Sequence, residues 1–144
     1  DQNYKSPKTL IHYLVKAAGR NANLLMNIGP QPDGCLPEVA IERLKKVGEW
    51  MNIYGETIYG TRGGIIQPHD WGVTTQKQNR LFVHILNLKD KALYLPTGNT
   101  RIKKAVDFVS RKQVRMQKCD GGVVIYLDQV PTDVDKVVEL EMAK

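Results

Sequence analysis

Apolar residues in this chain recur at two different periods, and the switch between them falls near Tyr54. Before it, the pattern is helical. Leu10, Ile11, Leu14, Val15 and Ala18 stand one, three or four residues apart, which gathers them on one helix face. Ser6-Pro7 supplies an N-cap followed by proline at the first helical position, where its missing N–H has no intrahelical partner to lose, and Gly19 ends the run. Pro37 opens a second helix with Ala40, Leu44, Val47 and Met51 on one stripe, and Gly55 lies just past its end. Glu42 and Lys46 stand four apart in the order that favours an ion pair. Between the helices lies Asn23-Leu24-Leu25-Met26-Asn27-Ile28, apolar with little alternation, then Gly29-Pro30-Gln31-Pro32-Asp33-Gly34, dense in turn formers. A short strand of that kind is buried on both faces, as in a parallel sheet.

After Tyr54 the period is two. Strands are expected at Trp71–Thr75, Arg80–Asn87, Ala92–Leu95, Ile102–Val109, Val114–Lys118, Val123–Leu127 and Lys136–Glu141, with Asp120-Gly121-Gly122 as a hairpin turn. Several short strands without intervening helices make an antiparallel sandwich. The fold class expected is therefore mostly β: an antiparallel β-sandwich over 62–144, preceded by a helix–strand–helix unit over 1–61. One buried strand with a helix on either side is not a stable object, because both strand edges need partners. The expectation is that those partners lie upstream. The sequence opens on Asp1 rather than Met, and its 144 residues are too few for a complete (β/α)8 barrel, which needs at least about 200.

Charge and cysteine bound the function less tightly. Seven basic residues (Arg101, Lys103, Lys104, Arg111, Lys112, Arg115, Lys118) fall between Arg101 and Lys118 against one acid, Asp107, and that balance equals the net charge of +6. Such a strip suits phosphate, sulfate or an anionic sugar; it also suits a sheet edge guarded by Lys and Arg. With Phe108 its only aromatic, it lacks the stacking rings of a nucleic-acid platform, and no nucleic-acid partner is expected. Cys35 and Cys119 are read as two separate thiols, with one disulfide as the alternative. No apolar run approaches the roughly 18 residues of a membrane span, and no signal-peptide pattern opens the chain.

The run Asn23–Pro30, then Pro32-Asp33-Gly34, strongly resembles the α-L-fucosidases, glycoside hydrolase family twenty-nine. Glu42-Arg43-Leu44, Val47-Gly48-Glu49-Trp50 and Gly55-Glu56-Thr57-Ile58-Tyr59-Gly60-Thr61 look like the helix that follows in that family, and Trp71-Gly72-Val73-Thr74-Thr75 with Leu81–Asn87 resembles the first strands of its C-terminal sandwich. Ala22, Met26 and Cys35 depart from the family's usual residues, on the scale of packing. The resemblance implies that 1–61 is the end of a catalytic (β/α)8 barrel, with Asn23–Ile28 its last strand, and that 62–144 is the sandwich. It implies a parent enzyme that removes terminal α-L-fucose from glycans with retention, working in the periplasm, outside the cell or in the lysosome, without a cofactor.

The same resemblance places the nucleophile aspartate and the acid/base glutamate upstream, so no catalytic residue is expected here. Asn27, near the loop that would face the sugar, and Trp71, as a platform for a ring, are the candidate substrate contacts, although such a tryptophan more often plugs a sandwich core. The remaining titratable groups read as structural. Glu42 and Glu49 belong to a solvated helix face, Asp33 to a turn, and Asp133 and Asp135 to a turn near Pro131. His12, His69 and His84 share no metal-ligand spacing, and His84, alternating with Val83 and Ile85, is expected on the polar face of its strand. A non-catalytic carbohydrate-binding or structural sandwich is the alternative function. Loss of the barrel is also expected to expose surface for self-association.

Overall fold

The computed structural model describes residues 3–144. Helix α1 spans Pro7–Gly19 and α2 spans Glu38–Tyr54, which runs into a 3-10 turn at Gly55–Thr57. The start of α1 is as the sequence requires: Ser6 is extended, and its hydroxyl accepts from the Thr9 N–H at 3.1 Å. Eight strands follow: β1 (Arg62–Gly63), β2 (Gly72–Lys77), β3 (Arg80–Ile85), β4 (Ala92–Leu95), β5 (Ile102–Asp107), β6 (Arg115–Cys119), β7 (Gly122–Tyr126) and β8 (Lys136–Met142). They form a five-stranded sheet in the order β1-β2-β3-β8-β5 and a three-stranded sheet in the order β4-β7-β6, antiparallel throughout. The Asp120-Gly121 turn joins β6 to β7, with Gly121 at φ 74°, the left-handed geometry that a two-residue hairpin needs.

The sandwich core sits between the sheets. Leu81, Val83 and Ile85 of β3, and Val138 and Leu140 of β8, meet Leu93, Leu95, Val123 and Ile125 of the smaller sheet. The other face of the large sheet is covered as well. Ile11 and Val15 of α1 and Val47 and Trp50 of α2 pack on Val73 and Leu86, while Tyr54 closes over Phe82, Phe108 and Val137. The molecule therefore has three layers: helices, five-stranded sheet, three-stranded sheet. This coat explains why β3 is buried on both faces despite its alternation.

Three expectations need correction. Residues 23–28 form no strand; they run without ladder partners, and Leu25 is 91% exposed. A strand consists of its bonds to neighbours, and no described segment lies alongside to make them. Glu42 does not reach Lys46; Lys46 bonds Glu49 at 3.2 Å instead. His84 is not on a polar face but fully buried, because that face of β3 meets the helical layer rather than water. Cys35 and Cys119 are free and exposed.

Candidate functional site

Residues 24–29 form one wall of an apolar groove of about 380 Å³. Tyr4, Leu10 and Tyr13 contribute from the α1 side, and Ala40, Arg43 and Leu44 from α2. Asn27 lies in this wall. The loop that follows is held locally: the Asp33 carboxylate accepts from the Cys35 N–H at 2.9 Å, and the Gln31 N–H donates to the Cys35 carbonyl at 2.7 Å. Arg43 Nε is buried here without a partner. Trp71 does not line the groove. It is partly buried at the rim of the sandwich core and stacks on His69, with ring centroids 5.6 Å apart and planes 10° from parallel. Asn27 and Trp71 therefore belong to different surfaces.

The carboxylates are engaged elsewhere. Arg80 bonds Glu139 at 2.8 Å and also Glu56, and Arg111 bonds Glu139 at 2.7 Å. Burial pushes the Glu139 carboxyl up, but its bonds from Arg80 and Arg111 outweigh that and hold it below the usual range. The bonds that Arg80 donates, to Glu139 first and then to Glu56, hold it protonated even more firmly than usual. Asp107 behaves like Glu139: burial raises it, and Lys136 with the Ser110 N–H brings it below the ordinary value. Asp135 is not the local turn residue the sequence suggested. Its Oδ2 lies 2.6 Å from His84 Nδ1, with both side chains fully buried. That pairing joins residues 51 apart in sequence, and no spacing rule exposes it. Among the described residues no group of three or more His, Cys, Asp or Glu is placed to hold a metal ion, and no helix is long and apolar enough to cross a membrane.

The basic strip is divided by the fold. Lys103 and Lys104 share Glu141, and Arg111 shares Glu139 with Arg80, so part of its charge is paired with acids of the large sheet. Arg115, on the edge strand β6, lies over the Tyr126 ring at 4.1 Å.

Against known proteins, a family model described as Alpha-L-fucosidase matches residues 1–56. Plasma alpha-L-fucosidase of Rattus norvegicus is 35% identical over 91 residues, 60% of this chain and 19% of that protein. Tissue alpha-L-fucosidase of Bos taurus is 35% identical over 128 residues, 85% of this chain and 27% of that protein. Alpha-L-fucosidase isoenzyme 1 from Paenibacillus thiaminolyticus superposes with a TM-score of 0.88 at 31% identity, covering 100% of this chain and 36% of that one. The alpha-fucosidase of Thermotoga maritima, in complex with a mechanism based inhibitor, gives a TM-score of 0.80 at 26% identity, covering 95% and 34%. The chain spans well under half the length of each of these relatives, and it matches their C-terminal part.

Proposed function

This chain is related to the α-L-fucosidases through the C-terminal part of that family, and we propose that it serves as the end of a retaining α-L-fucosidase that hydrolyses terminal α-L-fucose from glycans. In this reading residues 1–61 complete a (β/α)8 barrel and 62–144 form the sandwich that buttresses it. The observation that carries the reading is the contrast between the two parts. The sandwich has a closed core, whereas residues 24–29 lie extended along an open apolar groove with Leu25 almost wholly exposed. An apolar segment with both edges free is what a barrel strand without its neighbours would look like.

The chemistry turns on how carboxyls are placed among the described residues. Retaining hydrolysis needs two carboxyls about 5–5.5 Å apart, one ionised as nucleophile and one protonated as acid. Here Asp33 caps a turn, Glu56 and Glu139 hold Arg80, Asp107 holds Lys136 and Asp135 holds His84. Each of these carboxyls is taken up by a structural partner. The pair would come from the barrel upstream, and Asn27 would stand at one rim of the fucose site. Trp71, packed on the sandwich core, suits a structural role better than a sugar platform. Relatives named for plasma and tissue support a secreted or lysosomal setting, with the periplasm as the bacterial equivalent.

Purified alone, the 144-residue chain is expected to release no product from an aryl α-L-fucoside above the blank, and to sediment as dimers or larger species through its open groove. Hydrolysis by the pure chain would overturn the assignment of the catalytic pair to upstream sequence.

A further inference from the structure

We propose that the buried His84–Asp135 pair is a two-proton latch that makes the docking of the helical layer on the sandwich strongest in mildly acidic conditions. This rests on hydrogen-bond geometry and is independent of the enzyme reading.

The latch spans the layer boundary. His84 lies on β3, facing the helices. Its Nε2 is 2.9 Å from Thr75 Oγ1 on β2, and that hydroxyl is 2.6 Å from the carbonyl of Thr57, in the turn after α2. Asp135 follows Val134, whose carbonyl meets His12 Nε2 of α1 at 2.6 Å. Both ends of the His84 chain thus tie a helix to the sheet.

The bonds fix the protons. A carbonyl only accepts, so the single hydrogen of the Thr75 hydroxyl goes to Thr57. The Thr75 oxygen must then accept from His84, which places a hydrogen on Nε2. The 2.6 Å contact between Nδ1 and Asp135 Oδ2 needs a second hydrogen, and it sits on Nδ1 because imidazole is a stronger base than carboxylate. The pair therefore holds two protons and no net charge. Removing either leaves a negative charge at a fully buried site, and the other carboxylate oxygen, Oδ1, is already buried without a partner.

The charged surroundings do not supply a substitute. From α2, the Tyr54 hydroxyl is pushed up to about 12, by burial first and then by Asp135, Asp133 and Asp107, so it stays neutral. Lys136 of β8 is held by Asp107 of β5, and β2 offers only the Thr75 hydroxyl. His12 of α1 is committed to the Val134 carbonyl.

The sign follows from proton counting. An unfolded histidine loses its proton as pH rises past about 6.5, and an unfolded aspartate gains one below about 4. Above the first value the folded chain holds the extra proton, so stability falls as pH rises. Below the second the unfolded chain does, so stability falls as pH falls, together with the contributions of Glu139 and Asp107, whose lowered carboxyls act on that acid limb alone. Stability peaks between.

Urea unfolding of the whole chain from about pH 6.5 to about pH 8.5 tests this, with the unfolding constant expected to rise roughly tenfold per pH unit. Asp135→Asn keeps a bond by donating its amide hydrogen to Nδ1 of a neutral ring, and is expected to flatten that slope; His12 and His69 remain in both proteins, so the difference isolates the pair. Nitrogen NMR of the wild-type chain at about pH 7.5, where a free histidine is mostly neutral, is expected to show both His84 ring nitrogens protonated. A bare ring nitrogen there, a wild type with no slope, or an equal slope in Asp135→Asn overturns the latch. Should the variant fail to fold, the wild-type slope and the NMR still decide.

Discussion

Replacing Gly72 with alanine is expected to cost on the order of 4–5 kcal/mol or more, enough to leave much of the chain unfolded at 25 °C. Gly72 opens β2, pairs with Ile85 of β3 and has φ 153°, a backbone setting that L side chains avoid. A Cβ built there falls on the carbonyl oxygen of His84. Because that neighbour is backbone in the middle of the large sheet, no side chain can swing away. Relief requires moving β2 from β3, which breaks the ladder around the Leu86 N–H to Trp71 carbonyl bond of 2.7 Å. Far-ultraviolet dichroism with a urea titration reads the outcome. A variant melting close to wild type would show that β2 and β3 do not approach as described.

Phe82→Ala is expected to cost about 3–5 kcal/mol, the range for emptying a buried aromatic site. Phe82 is fully buried on the helix-facing side of β3. It meets Phe108 edge-on at 5.8 Å, carries the Arg80 guanidinium at 5.0 Å, and lies beneath the ladder of Tyr54 on Phe108 and Trp50 on Tyr54. Truncation removes the floor of that stack and loosens the Arg80 bridge from Glu139 to Glu56, the tie between β8 and the turn after α2. Tyr94, on the smaller sheet and 47% exposed, is the control: Tyr94→Ala is expected within about 0.5 kcal/mol of wild type. Equal losses at the two positions would mean that helices do not cover one sheet face and leave the other open.

These two sites also show what sequence can and cannot carry. Local chemistry was legible: Ser6 caps α1, Asp120-Gly121 turns a hairpin, and the alternation in Leu81–Ile85 marks β3. Alternation reports two faces but not what lies beyond the second. His84 reads as it would on a face turned to water, and only the docking of α1 and α2 there makes it, with Phe82, interior. The turn at Gln78-Asn79 carries only half a signal, because Asn79 is a usual turn former whereas Gln78, at φ 55°, is not. Asp135 looked local because its partner is in another strand. Residues 23–28 failed as a strand for the opposite reason: their composition is right, but strand pairing belongs to neighbours that no described residue supplies. For the site, the motif singles out Asn27 but says nothing of the groove in which it lies, and the rim position of Trp71 was not legible either, since a tryptophan near a sandwich can fill its core or meet a ligand.

If this chain serves as the end of an α-L-fucosidase, as proposed, it can stand in for the corresponding part of a relative. The direct measurement is a chimaera in which these 144 residues replace the matching C-terminal part of the Paenibacillus thiaminolyticus isoenzyme, over which the two folds superpose with a TM-score of 0.88. Assayed on an aryl α-L-fucoside, the chimaera is predicted to fold and release product, while the same protein truncated before the replaced part does not. A chimaera that folds with a native-like melting transition yet releases no product would contradict the account.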